Sequence, residues 1–373
     1  MKKRVGAIVS VLKPVDDTRM YHKMAQSLVR TGKFSVNILG FYSNTHSTFA
    51  DINFHPVYRF NAHSLARLLV NPRVLLRLFK IKPNFIIVST PELAPAVLFF
   101  HLLFPQVKLF YDIQENHVRN IIYHHTGRKI LRKWLVQLVV YVEKRLVTQA
   151  QLLILAERGY FQEKPWIKNY AHLLLENKVL AQPRIKHPAT TDQFTVVYSG
   201  TISTMYGIWD ALRFAESLYL ALKGQLRFLL VGHVTQTDTY QKLTTELSTK
   251  PWISPRISLN PIPHHQLLAA TQEAHFGIVS HQILPSIENC FPTRIWEYMN
   301  YQLPFFLQNH PHWVDYCQPW QCAISVDFSQ ENWSMREIID KMKNTAFYPH
   351  GNPNTIYWED QAFVLSIEEA LTD

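Results

Sequence analysis

Short apolar runs alternate with longer amphipathic stretches from the first residues of this chain. Residues 4–11 and 34–41 are apolar runs rich in β-branched and aromatic side chains. Between them, residues 18–31 place apolar positions at helical spacing and stop at Gly32, a helix followed by its terminator. Runs of the same kind recur at 85–89, 108–112 and 151–156. None alternates in and out, which is the pattern of parallel strands buried on both faces. Strand, helix, strand in this order predicts a doubly wound α/β domain. A polar, irregular stretch over 171–192, holding Pro183, Pro188 and Thr190-Thr191-Asp192, then interrupts the pattern and reads as a linker. A second alternation follows, with strands expected at 194–199, 227–231, 257–259, 276–280, 304–308 and 323–326. Two doubly wound domains that face one another would present the carboxyl ends of both sheets to a central cleft, where open α/β folds bind ligands.

Composition narrows the class. The 373 residues exceed the usual size of a single core, and 18% charged with 13% aromatic residues describe a folded chain. The longest apolar stretch, 93–104, is broken by Pro95 and His101, so no membrane-spanning helix is expected. The basic start has only a short apolar run and no small-residue cleavage site, and reads as a first strand. A cytoplasmic location is the expectation. Three cysteines, Cys290, Cys317 and Cys322, form no C-x-x-C pair and predict neither a disulfide framework nor a zinc site. Up to Leu180 there are 26 Lys and Arg against 10 Asp and Glu, a surplus of 16 positive charges; the remaining 12 basic and 18 acidic residues leave a deficit of 6. That polarity predicts an anionic partner for the first half.

The most informative segment is 286–304. It follows a strand and opens a helix at Pro292-Thr293, where helix amides and dipole favour a phosphate. Arg294 lies in the first turn and can pair with a phosphate oxygen. Glu297, one turn later, can accept hydrogen bonds from a ribose diol. Taken alone, the same residues also suit an amphipathic helix with a solvated Arg–Glu pair. Gly200 and Gly207 flank a strand-to-helix loop in which glycine lets backbone amides approach a diphosphate, or simply permits a tight turn. Asp112, Gln114, Glu115 and His117 follow a strand end; a carboxylate there can orient or deprotonate an acceptor hydroxyl, or cap the next helix. No G-x-G-x-x-G follows a strand, no P-loop motif is present, and no D-x-D occurs. The pairs His124-His125 and His264-His265, and His310 with His312, read as packing or solvated residues, and no metal site is expected.

This segment resembles the donor-site helix of GT-B glycosyltransferases, family 4 in particular, whose members carry a P-T-K-L-x-E-Y-M-A-x-G-x-P-like stretch. Pro292, Thr293, Arg294 (for Lys), Glu297, Tyr298, Met299 and Pro304 match it in order, with Gln302-Leu303 where the family has Gly. Glu297 falls on the second Glu of the family's E-x7-E element and Asn289 on the first. The resemblance extends over nearly the whole chain. Asp17-Thr18-Arg19 is similar to an early D-x-R. Tyr111-Asp112-Ile113-Gln114-Glu115 resembles Y-D-x-H-E. Lys168-Asn169-Tyr170 sits where the family has an interdomain turn, Tyr198-Ser199-Gly200-Thr201 with Gly207-Ile208 is similar to the Gly-rich loop opening the second domain, and Tyr357-Trp358-Glu359 opens a final helix like the one that crosses back.

The resemblance implies an acceptor-binding domain over 1–172, a linker over 173–192, a nucleotide-sugar domain over 193–352 and a C-terminal helix over 353–373 packed on the first domain. It implies a retaining, metal-independent transferase moving a sugar from a nucleoside diphosphate, UDP or GDP, to a hydroxyl, with no cofactor. Gly200, Thr201, Gly207 and Arg294 would hold the diphosphate, Glu297 the ribose and Asn289 the sugar or its phosphate. Asp112 and Glu115 would be the catalytic carboxylates, with Asp17, Arg19, Gln114 and His117 on the acceptor side. One departure stands out: Thr201 and Tyr206 occupy a loop where the family commonly has Arg and Lys. Rival expectations are a nucleotide-sugar epimerase and a catalytically silent module that binds a glycan or protein. The basic amphipathic stretches 62–82 and 119–144 suit a lipid-linked acceptor at the inner membrane face, as in envelope polysaccharide assembly, better than nucleic acid, because aromatic and basic residues are not interleaved.

Overall fold

The computed structural model describes residues 3–43, 46–59, 69–124, 129–181, 193–285 and 287–372, with the side chain of residue 124 outside the description. His125, Ser286, the parts 62–68 and 125–128 of the two basic stretches, and residues 182–192 of the expected linker lie outside it. The chain divides into two units, Met1–Asn177 with Trp358–Asp373, and Lys178–Tyr357.

The first unit is built on β1 (Arg4–Pro14), β2 (Phe34–Phe41), β3 (Ile52–Tyr58), β4 (Phe85–Val88), β5 (Lys108–Ile113), β6 (Leu152–Leu155) and β7 (His172–Leu174). They form one sheet in the order β3-β2-β1-β4-β5-β6-β7, every pairing parallel. Helices connect them: α1 (Gln26–Arg30), α2 (Val70–Ile81), α3 (Ala94–Leu103), α4 (His117–His124), α5 (Lys129–Gln149) and α6 (Tyr160–Glu163). The helix expected over 18–31 is present, but its first part, Thr18–Ala25, is wound as a π-helix before α1 continues it. Asp17 caps this start, its carboxylate accepting from the amides of Arg19 (2.9 Å) and Met20 (3.1 Å).

The second unit repeats the plan with β8 (Phe194–Ile202), α7 (Ile208–Ala221), β9 (Leu226–Val234), α8 (Thr237–Leu247), β10 (Ile253–Ser258), α9 (His264–Gln272), β11 (Phe276–Val279), α10 (Thr293–Asn300), β12 (Phe305–Gln308), α11 (Pro311–Cys317), β13 (Ala323–Val326) and α12 (Met335–Asn344). The strand order is β10-β9-β8-β11-β12-β13, again all parallel. The order reverses between β1 and β4 in the first sheet and between β8 and β11 in the second. Such switch points are where chains leave a sheet in opposite directions and open a crevice at the carboxyl ends of the strands. The last helix, α13 (Asp360–Ala370), belongs to the first unit. Its Phe363 and Ile367 are fully buried, Lys33 pairs with Glu368 at 2.8 Å, and the Trp358 indole donates to the Ser27 hydroxyl.

The central strands lie where the apolar runs place them. The departures are at the sheet edges. β3 and β7 were not expected as strands, and β10 lies at 253–258 instead of 257–259. Pro56 in β3 and Pro255 in β10 argue against strand in a sequence, yet an edge strand needs hydrogen bonds along one side only and tolerates the missing donor.

Candidate functional site

In the second unit, β8 carries Tyr198, Ser199, Gly200 and Thr201 to the switch point. Gly200 has φ +98° and Gly207, immediately before α7, has φ +72°. A Cβ on Gly207 would lie 1.7 Å from the Ser280 carbonyl oxygen, so only glycine lets the loop close onto the exit of β11. The Ser280 hydroxyl donates to the Gly207 carbonyl at 2.8 Å. The Gln282 amide donates to the Met205 carbonyl at 3.1 Å, and its side-chain amide to Asp210 at 3.0 Å. The loop 203–207 and the strand exit 280–282 thus form one cross-linked wall.

Arg294 projects from the first turn of α10 into this wall and not toward solvent; it is only 6% exposed. Its guanidinium stacks on the Tyr198 ring at 4.2 Å, and Nη2 donates to the Thr201 carbonyl at 3.1 Å. Nη1 is buried with no hydrogen-bond partner. The ordinary i, i+3 ion pair with Glu297 is not formed. Beside it stands His281, its ring 4.6 Å from that of Tyr206 and its Nδ1 buried and unpartnered. Burial, and then the Arg294 charge, hold the His281 imidazole well below its ordinary pKa, so it is neutral at physiological pH. Glu297 acts on the guanidinium through space and not as an ion pair; a buried cation left without a paired counter-charge is costly, and an anion at Nη1 would offset that cost. The α10 amides add a favourable dipole for the same charge.

Glu297 is half-buried one turn further along α10 and makes no hydrogen bond or ion pair among the described residues. Burial and then its charge push the Tyr301 hydroxyl up. Asn289 lies in the turn between β11 and α10, and its neighbours in sequence are pinned from α11: His310 Nε2 is 3.0 Å from the Glu288 carbonyl, and the Trp313 indole donates to the Cys290 carbonyl at 3.0 Å. His310 stacks on Trp313 at 4.2 Å, a packing role. Gly200, Thr201, Gly207 and Arg294 are therefore gathered at one point, and Asn289 lies on a braced turn.

The first-unit residues divide differently. Arg19 and Asp112 are 2% and 0% exposed and bind each other: Nη2 to Oδ1 at 2.7 Å and Nε to Oδ2 at 3.0 Å. Gln114 adds a bond to Oδ2 at 2.6 Å, and Arg19 Nη1 donates to the Leu175 carbonyl at 2.9 Å. Both Asp112 oxygens are engaged, which makes it a fastener between the first loop, β5 and the segment after β7. Asp17 caps the first helix. Glu115 accepts from Asn120 at 3.0 Å, and His117 is the half-buried first residue of α4. The sequence reading missed His281. Its only signal there is position, a polar residue two steps beyond the wholly apolar strand β11 at the switch point.

No family model and no curated protein sequence matches the chain. Solved structures do. A sucrose-phosphate synthase from Thermosynechococcus elongatus superposes with TM-score 0.69 at 13% identity, covering 98% of each chain. The N-terminal domain of a trehalose-6-phosphate phosphatase from Candida albicans matches with TM-score 0.67 at 8% identity, over 100% of this chain and 97% of that one. A lipopolysaccharide outer core galactosyltransferase, WaaB, matches with TM-score 0.55 at 11% identity, over 98% and 95%. At these identities the likeness is one of fold, and the fold is GT-B: two Rossmann-like α/β units.

Proposed function

We propose that the chain is a family-4-like glycosyltransferase that moves a sugar from a nucleoside diphosphate sugar to a hydroxyl of a glycan or lipid-linked acceptor. The observation that carries this reading is Arg294, a buried cation with Nη1 unpartnered at the switch point of the second unit. In the reaction the bond from the anomeric carbon to the diphosphate oxygen breaks with the leaving group taking the electron pair, the acceptor hydroxyl oxygen forms the new bond to that carbon, and the hydroxyl proton passes to the departing diphosphate. Arg294 meets the growing charge. His281, a neutral imidazole, offers its Nδ1 side as a hydrogen-bond partner to the same group or to the sugar, and Arg294 alone supplies the positive charge that loop 201–206 lacks. Glu297 binds the ribose diol and Asn289 the sugar or its phosphate. Retention of configuration and independence of metal are carried over from the resemblance, as is the choice of UDP or GDP. A place in bacterial envelope polysaccharide synthesis, with the protein peripheral at the inner membrane face, draws support from the basic first half.

A second reading, a silent GT-B module that binds a glycan or partner, is favoured by the neutral loop. It also gains from the fold's occurrence in the N-terminal domain of a protein named a phosphatase. A thermal-shift panel of UDP, GDP, ADP, CMP and their sugar conjugates separates the two. A shift with one nucleotide and its sugar is expected; no shift with any removes the donor site. Labelled-sugar transfer to an added acceptor, against interconversion of the free donor, then distinguishes a transferase from an epimerase.

A further inference from the structure

In α5 the usual arrangement of a surface helix is reversed. Its acid, Glu143, points inward at 4% exposure, accepting from Tyr111 at 3.2 Å and from Lys164, alongside buried Leu146 and Val147. That fixes the helix rotation. The opposite side presents Ile130 (84% exposed), Trp134 (59%), Leu138 and Tyr141 (58%) in a stripe about 16 Å long. Lys129, Lys133, Lys144 and Arg145 are exposed along and beside the stripe, with Arg145 over the Tyr141 ring at 5.4 Å. Glu143 is the helix's one carboxylate, so its outer face bears cations and apolar groups and no acid. The neighbouring α3 adds Leu102 at 75% exposure.

Single exposed apolar residues are ordinary on a protein surface, whereas a continuous stripe marks a surface that meets something apolar. The charges define its chemistry. A second copy of the chain would set these cations against one another, so the partner is apolar and negatively charged. Trp134 and Tyr141, with a ring to bury and a polar atom to keep wet, suit the boundary between head group and acyl chain. No helix among the described residues is long and apolar enough to cross a membrane, so the contact is one of lying on the surface.

We infer that the outer face of α5 is a docking surface for an anionic lipid bilayer, entered by Ile130, Trp134, Leu138 and Tyr141 and held by the flanking lysines. It deepens the proposed function by naming where the chain meets a lipid-linked acceptor, but its test involves neither nucleotide nor sugar, so each fails separately. The test is flotation of the full chain with phosphatidylcholine vesicles, with and without phosphatidylglycerol, at low and high salt. Wild type is expected to float with the anionic vesicles at low salt, and less at high salt. Ile130→Ser with Trp134→Ser should lower the partition coefficient by about tenfold or more while leaving the melting temperature within a few degrees, because both side chains already face water. Lys133→Glu with Lys144→Glu should abolish the preference for anionic lipid. No flotation of wild type at low salt, or unchanged flotation of the serine variant, overturns the inference. So does a wild-type dimer in light scattering that Trp134→Ser dissociates, which would give the face to a second copy.

Discussion

Two buried arginines, Arg19 and Arg294, ask for opposite things. Arg19 has its counter-charge: Asp112 binds it through both carboxylate oxygens and Leu175 through a carbonyl, and the Trp358 ring covers it at 5.6 Å. Removing one member strands the other, so Arg19→Met should destabilise the first unit by about 3–5 kcal/mol. Adding Asp112→Asn should recover part of that loss. Urea denaturation of the single and double variants checks it, and additive losses would mean that the pair is not coupled. Arg294 lacks such a partner and holds a donor toward the switch point. Arg294→Ala should cost about 10²–10³ in turnover if Nη1 stabilises the leaving diphosphate, with stability little changed or improved. Glu297 is a different case again, since its half-buried carboxylate makes no bond among the described residues. Glu297→Ala should weaken nucleotide binding by about 1–3 kcal/mol, measured by titration calorimetry; unchanged affinity in a folded variant would remove Glu297 from the site.

At the scale of elements, α13 shows how a distant segment completes a unit. Phe363 and Ile367 bury fully against a fold whose other residues end at Asn177. Phe363→Ala should therefore cost about 3–5 kcal/mol, read as an earlier melting transition, and the site around Arg294 should still bind nucleotide. The same scale shows what was legible in the sequence. Central strands such as β4 and β6 are buried on both faces, so their residues are uniformly apolar and visible as runs. Edge strands β3, β7 and β10 have one open side, accept proline and mixed polarity, and so carry no such signature. Of the site, Gly200, Gly207, Arg294 and Glu297 were legible because a turn, a helix start and a helical repeat each leave a mark at fixed spacing. His281 was not, because its surroundings are made by Tyr206, which the parallel pairing of β8 and β11 brings near it, and by Arg294, which α10 brings back to the same place. The engagement of Asp112 was hidden for the same reason: Arg19 is 93 residues away.

At the scale of the molecule, histidine burial sets a pH dependence. Among the described residues, three histidines are held below their ordinary pKa: His55 by burial and then the Arg77 charge, His281 by burial and then Arg294, and His310 by burial first. In the unfolded chain each takes up a proton near pH 6.5. Below that pH the unfolded state binds more protons than the folded state, so stability rises with pH and is lost as pH falls. His281 is the most strongly shifted and can contribute up to about 1.4 kcal/mol per pH unit below 6.5. Asp327, lowered chiefly by its bond with Ser329, acts with the same sign but only near and below pH 4. His281 and His310 both lie in the second unit, His55 in the first. Calorimetry from pH 7.5 to 5 should then show the second unit's transition falling faster than the first's, and His281→Gln should flatten that difference. Parallel decline of both transitions, or an unchanged slope in the glutamine variant, would mean that the His281 imidazole takes up its proton in the folded protein and that the wall around Arg294 is open to water.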